Sequence, residues 1–207
     1  DCTLQVHESM AGWRPANAPQ LLMASLNPSV NTIFPVRYLG STTAVSSYLC
    51  TRVRQSTIPM EDGGIEDGGV PVVSIILSRN LVSLNGGTVV APQLAIPNAI
   101  ALDGRSSGLV SSANPVASWA IPTIGTPNSY RVTLLEVRQA PFGFDRVPVA
   151  ELRTTQLSIR VPSSYLVSGR RYALEVVART AVSPLRAVDS RIPTNESIAQ
   201  SPVFIIQ

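Results

Sequence analysis

Apolar residues recur along this chain in short runs rich in Val, Ile, Leu and Thr, each cut off by Pro or Gly. Within the clearest runs every second position is apolar, the period of extended chain, whose side chains point alternately to opposite faces. The stretch 129–137 is the best case: Tyr130, Val132, Leu134 and Glu136 share one face, and Leu135 and Val137 the other. Further runs at 116–122, 155–162, 165–169, 172–178 and 201–206 read as strands of the same kind. In the first half the pattern is shorter and less regular, and predicts strands at 2–6, 20–25, 32–39, 44–54 and 70–77. Trp13-Arg14-Pro15, Ala18-Pro19, Asn27-Pro28 and Phe34-Pro35 punctuate that half too often for long helices. The fold class expected is all-β.

The change in regularity divides the chain into a smaller β-rich module over 1–88 and a larger, more regular β-rich part over 89–207. A chain of 207 residues is long enough for two such modules, each with its own core. Charged residues make up only 14% and mean hydropathy is +0.20, yet no apolar run approaches the roughly 18 residues of a membrane-spanning helix. An integral membrane segment is therefore not expected.

The order of motifs in the larger part resembles the fibronectin type III family, a branch of the immunoglobulin-like sandwiches. Trp119-Ala120-Ile121-Pro122 stands as a Trp-x-x-Pro strand, Tyr130-Arg131-Val132 as a Tyr-x-Val strand, and Leu157-Ser158-Ile159 as a Leu-x-Ile strand. Leu166 and Gly169 then lead into Tyr172-Ala173-Leu174-Glu175-Val176-Val177-Ala178. The resemblance covers about 89–207. It implies that Trp119, Tyr130, Leu166 and Tyr172 are structural core, with the Tyr172 ring buried and its hydroxyl bonded to nearby backbone. Two stretches depart from the family: 93–118, with the extra piece Asp103-Gly104-Arg105-Ser106-Ser107-Gly108, and 180–201, longer than a usual hairpin. Such loops are candidate binding surfaces or tolerated insertions.

All sixteen basic residues are Arg, as in the coding of a genome rich in G and C, which fits a bacterial source. The net charge of +3 is small and the Arg residues are scattered, Arg52/Arg54 and Arg170/Arg171 among them, so no nucleic-acid footprint is expected. Cys2 and Cys50 are the only cysteines, and an even pair in a β-protein predicts a disulfide and an oxidising compartment, secreted, periplasmic or on the cell surface. The chain reads as a mature product or an ordered fragment. Lipid anchoring is disfavoured because Asp1 precedes the cysteine.

Catalytic chemistry is poorly provided for. His7 is the only histidine, so a nucleophile triad would need distant groups brought to it, and a zinc site lacks ligands. A pair of carboxylates suited to glycoside hydrolysis is neither indicated nor excluded. The tandem Glu-Asp-Gly-Gly of 61–69 reads as a flexible hairpin tip, with a Ca²⁺ site on Glu61, Asp62, Glu66 and Asp67 as the alternative. Asn85-Gly86-Gly87-Thr88 reads as a tight hairpin turn. Asn195-Glu196-Ser197 matches a glycosylation acceptor. Trp13 is a candidate ligand contact for glycan.

The expectation is a non-enzymatic extracellular or cell-surface structural or interaction protein. It would act through contacts with other proteins or copies of itself, one route being a sheet edge that completes a neighbour's sheet. The rival is a glycan-binding accessory module of a secreted carbohydrate-active enzyme, and a small hydrolase is a third reading.

Overall fold

The chain folds as strands with almost no helix, as a computed structural model shows. It describes the strand backbones within 2–8, 20–26, 32–33, 43–59, 65–83 and 89–90, and residues 94–141, 143–180 and 195–207. Among the described residues fifteen strands follow one another: β1 (Cys2–Glu8), β2 (Gln20–Leu26), β3 (Thr32–Ile33), β4 (Thr43–Pro59), β5 (Ile65–Ser83), β6 (Val89–Val90), β7 (Asn98–Leu102), β8 (Gly108–Val110), β9 (Val116–Ala120), β10 (Ser129–Ala140), β11 (Gly143–Thr154), β12 (Ser158–Arg160), β13 (Arg171–Thr180), β14 (Asn195–Gln200) and β15 (Phe204–Ile206). A 3-10 turn, Ser163–Tyr165, precedes β13.

The strands make two layers and a short ribbon. The small layer has the order β12-β9-β7. The large sheet runs β11-β10-β13-β14-β5-β4-β1-β2, with β15 pairing β13 and, in parallel, β8. β3 and β6 form the ribbon. Between the layers lies a core of Leu94, Leu102, Val110, Ala117, Trp119, Tyr130, Val132, Leu134, Val161, Tyr172, Leu174, Val176 and Phe204, all buried. In β9 the burial alternates, Ala117 and Trp119 facing in. Trp119 meets Tyr130 at 5.2 Å between ring centroids, tilted by 56°, a geometry worth about 0.5–1.5 kcal/mol beyond area burial. Leu166 is half-buried against this core. The Tyr172 hydroxyl accepts the Val167 N–H at 3.0 Å, and Gly169, at φ +79, donates its N–H to Ile206 O at 2.7 Å.

Several stretches differ from the sequence reading. The piece 103–108 opens with a tight turn: Asp103 and Gly104 have φ of +48 and +75, the mirror-image two-residue turn that Asp-Gly favours, and Leu102 and Arg105 exchange backbone bonds across it. The Asp103 carboxylate accepts the Val116 N–H at 2.7 Å. The turn lets one segment serve both layers, β7 beside β9 and β8 beside β15. The stretch 180–201 contains β14, a central strand bonded to β13 on one side and β5 on the other. Ile65 to Gly69, half of the Glu-Asp-Gly-Gly tandem, belong to β5 rather than to a hairpin tip. Asn85 to Thr88 lie outside the described residues, but the strands flanking them are not partners: β6 pairs β3 and β5 pairs β4. The sequence pattern assigned no strand to 143–154, where β11 forms a hairpin with β10.

The β5–β14 ladder runs across the 88/89 boundary suggested by the sequence. One register row, Tyr130, Ala178, Ser197, Ile76, Cys50, Cys2 and Leu26, can be followed through seven strands. Cys2 is thus the direct cross-strand partner of Cys50. No disulfide is seen among the described residues.

Candidate functional site

Away from the core, β10, β11, β13 and β14 present a second face whose rows are set by register. Arg153, Arg131, Val177 and Ile198 make one row, and Glu151, Thr133, Glu175 and Gln200 the next. Pro148, Leu135 and Ala173 make a third. Directly opposed Arg153 and Arg131 repel one another, and the carboxylates one row away offset this. Arg153 donates to Glu151 at 2.8 and 3.0 Å, and the guanidinium holds the Glu151 carboxyl below its ordinary value. Gln200 donates to Glu175 at 3.0 Å. Arg179 pairs with Glu196 at 2.9 Å, and burial pulls the Arg179 guanidinium below its ordinary value.

The face is concave. Arg146 of β11 donates to Gln200 of β14, with β10 and β13 between them. Three strand spacings amount to about 14 Å on a flat sheet, more than these two side chains bridge comfortably, so the sheet must curl. β11 also comes into contact with β5, four places along the sheet. A bulge supplies part of the bend: Leu134 is opposite Ala150 but Leu135 is opposite Pro148, leaving Val149 as the extra residue. Pro148 has no N–H to give, which an edge strand tolerates.

The result is an open trough of about 500 Å³ with Arg131, Thr133, Glu151 and Glu175 on its polar side. Leu135, Pro148, Val149 and Ala150 give it an apolar floor. Arg131 lies 3.9 Å from both Glu151 and Glu175, too far for a hydrogen bond, and its Nε is buried with no acceptor. A second cluster sits at the far end of β10. Glu136, almost wholly buried, accepts from Arg138 at 2.6 Å and from Arg170 at 2.7 Å. Both contacts, Arg138 foremost, hold its carboxyl below the ordinary value.

The end of the sandwich where β9 passes to β10 and β11 to β12 has a different character. Ile121, Ile124 and Leu157 are about half exposed there, on segments 121–128 and 155–157 that carry no charge. Backbone bonds hold these segments in place: Trp119 N–H to Leu157 O at 3.1 Å, and Ala95 N–H to Ile124 O at 2.9 Å.

Of the sites suggested by sequence, Trp119, Tyr130 and Tyr172 are in the core, Tyr172 within β13, Leu166 packs against it from the turn before β13, and Cys2 and Cys50 are in register. His7 is in β1, and Glu66 and Asp67 are consecutive in β5. Trp13, Glu61 and Asp62 lie outside the described residues. Among the described residues no group of three or more His, Cys, Asp or Glu is arranged to hold a metal, and no helix is long and apolar enough to cross a membrane. Glu136, which the alternation puts on the face of Tyr130, Val132 and Leu134, pairs with Arg138 and Arg170. Ser197 of the glycosylation match is fully buried and donates to Ala95 O. The trough residues Arg131, Thr133 and Glu151, and Arg153 beside them, were not singled out as a site by the sequence reading. Their one local signal is Glu151-Leu152-Arg153, an i, i+2 charge pair on a strand face.

Comparison with protein-family models, with curated proteins and with solved structures found no match.

Proposed function

We propose that this chain is a non-catalytic interaction protein of the cell surface or extracellular space, working through contacts with other proteins or further copies of itself. The observation that carries the reading is the apolar, uncharged loop end bearing Ile121, Ile124 and Leu157. Loops held on a rigid sandwich are well suited to recognition, because the scaffold bears the ordering cost that a free loop would incur on binding. The strand orders β12-β9-β7 and β11-β10-β13-β14, with β8 parallel to β15, support a fibronectin type III-like assignment for 89–207. The in-register cysteines support a Cys2–Cys50 disulfide and, with it, an oxidising compartment.

The edges of the large sheet bear on the route of assembly. β11, at one edge, carries Pro148, a bulge and several charges, devices that discourage strand addition. Contact through the loop end is therefore favoured over sheet completion at β11. Sedimentation of the chain across a range of concentrations tests this. Self-association that the double change Ile121→Asp, Ile124→Asp abolishes is the expected result. A strict monomer at high concentration, with no partner captured through these residues, overturns it.

A further inference from the structure

We propose that the trough on the outer face of β10, β11 and β13 binds a neutral carbohydrate, with Arg131, Thr133, Glu151 and Glu175 as its polar contacts. The argument starts from Arg131. A guanidinium has five N–H donors in a rigid fork. Among the described residues those of Arg131 meet no hydrogen-bond acceptor, only two carboxylates at 3.9 Å. A half-buried donor group left unspent on the wall of a trough of about 500 Å³ is a place where an acceptor oxygen belongs.

Charge decides the kind of oxygen. An anion reaching Arg131 also meets Glu151 and Glu175, one on either side. A cation attracted to those carboxylates meets Arg131, and must compete with Arg153 at Glu151 and with Gln200 at Glu175. A neutral hydroxyl escapes both penalties, since it accepts from the guanidinium while donating to a carboxylate. Neighbouring hydroxyls on a sugar ring present that donor and acceptor pairing repeatedly. Thr133 can add a further hydroxyl partner. The apolar floor of Leu135, Pro148 and Val149 matches the C–H face of a pyranose ring. An extended peptide fits less well, because its main-chain groups are best met by a sheet edge rather than a sheet face.

The test is amide chemical-shift mapping on the full chain with cellohexaose, xylohexaose, mannohexaose and chitohexaose at millimolar concentration, and with oligogalacturonate as the charged control. At least one neutral oligosaccharide should shift amides of β10, β11 and β13 and saturate, and Arg131→Met should weaken it tenfold or more without changing the remaining spectrum. If Arg131→Met fails to fold, Thr133→Val with the same titration replaces it, and a loss of threefold or more is expected. The proposal is overturned if no neutral oligosaccharide shifts those strands, if only oligogalacturonate does, or if Trp13→Ala rather than Arg131→Met removes binding. Ile121→Asp, Ile124→Asp should leave the titration unchanged, which separates this site from the contacts proposed for the loop end.

Discussion

Glu136 and Tyr172 are register partners whose polar ends do different work at one corner of the sandwich. The Tyr172 hydroxyl satisfies the backbone N–H of Val167 in the turn. Tyr172→Phe keeps the ring and loses that acceptor, so urea denaturation should show a loss of about 1 kcal/mol with an unchanged slope. Glu136 acts through its charge. Its folded carboxyl titrates below its unfolded value, so its contribution is present above the unfolded pKa of about 4.3 and disappears as pH falls through the depressed folded value. Glu136→Gln should therefore lower the melting temperature at pH 7 by about 2–6 °C, and the difference from wild type should close at the acid end. A difference that persists at low pH would mean packing, not charge, is what Glu136 supplies. Tyr130 is set by burial, which raises its hydroxyl above the ordinary value and keeps it neutral in the core.

At the scale of the elements, β14 changes most between sequence and structure. Asn195-Glu196-Ser197-Ile198-Ala199-Gln200 carries little apolar character, and its one long aliphatic residue, Ile198, is only half-buried. A local reading gives it to a loop. It is a strand because β13 and β5 each offer it an unpaired edge, a tertiary effect that outweighs weak propensity. This placement puts the glycosylation match at the start of β14, with Asn195 half-buried. Ser197 is fully buried with its hydroxyl bonded to Ala95 O, so Ser197→Ala, which leaves that carbonyl without its donor, should lower stability to urea by about 1 kcal/mol. β11 was hidden for the opposite reason: Pro148 and its charges argue against a central strand, and it is an edge strand, where they are tolerated. β10 and β13 were legible because both bury an alternating apolar face.

The large sheet joins the two halves of the chain into one ladder, and the Cys2–Cys50 pair sits in it on β1 and β4, five and four places from β10. Directly opposed antiparallel positions have Cα atoms about 4.5–5.5 Å apart, inside the range a disulfide spans. Material isolated without reductant should lack two hydrogens in its intact mass. Reduction should destabilise it by about 4 kcal/mol if the loop-entropy account holds. Two free thiols that alkylate quantitatively in the native protein would remove the bridge. By itself the sequence determined the all-β class, the strands with regular alternation, and the aromatic residues of the core, because period-two alternation of apolar side chains is written locally. The tertiary structure decided the rest. Strand partners, the curl of the sheet and the meeting of Arg131 with Glu151 and Glu175 depend on register between segments far apart in the chain, and no local pattern encodes register.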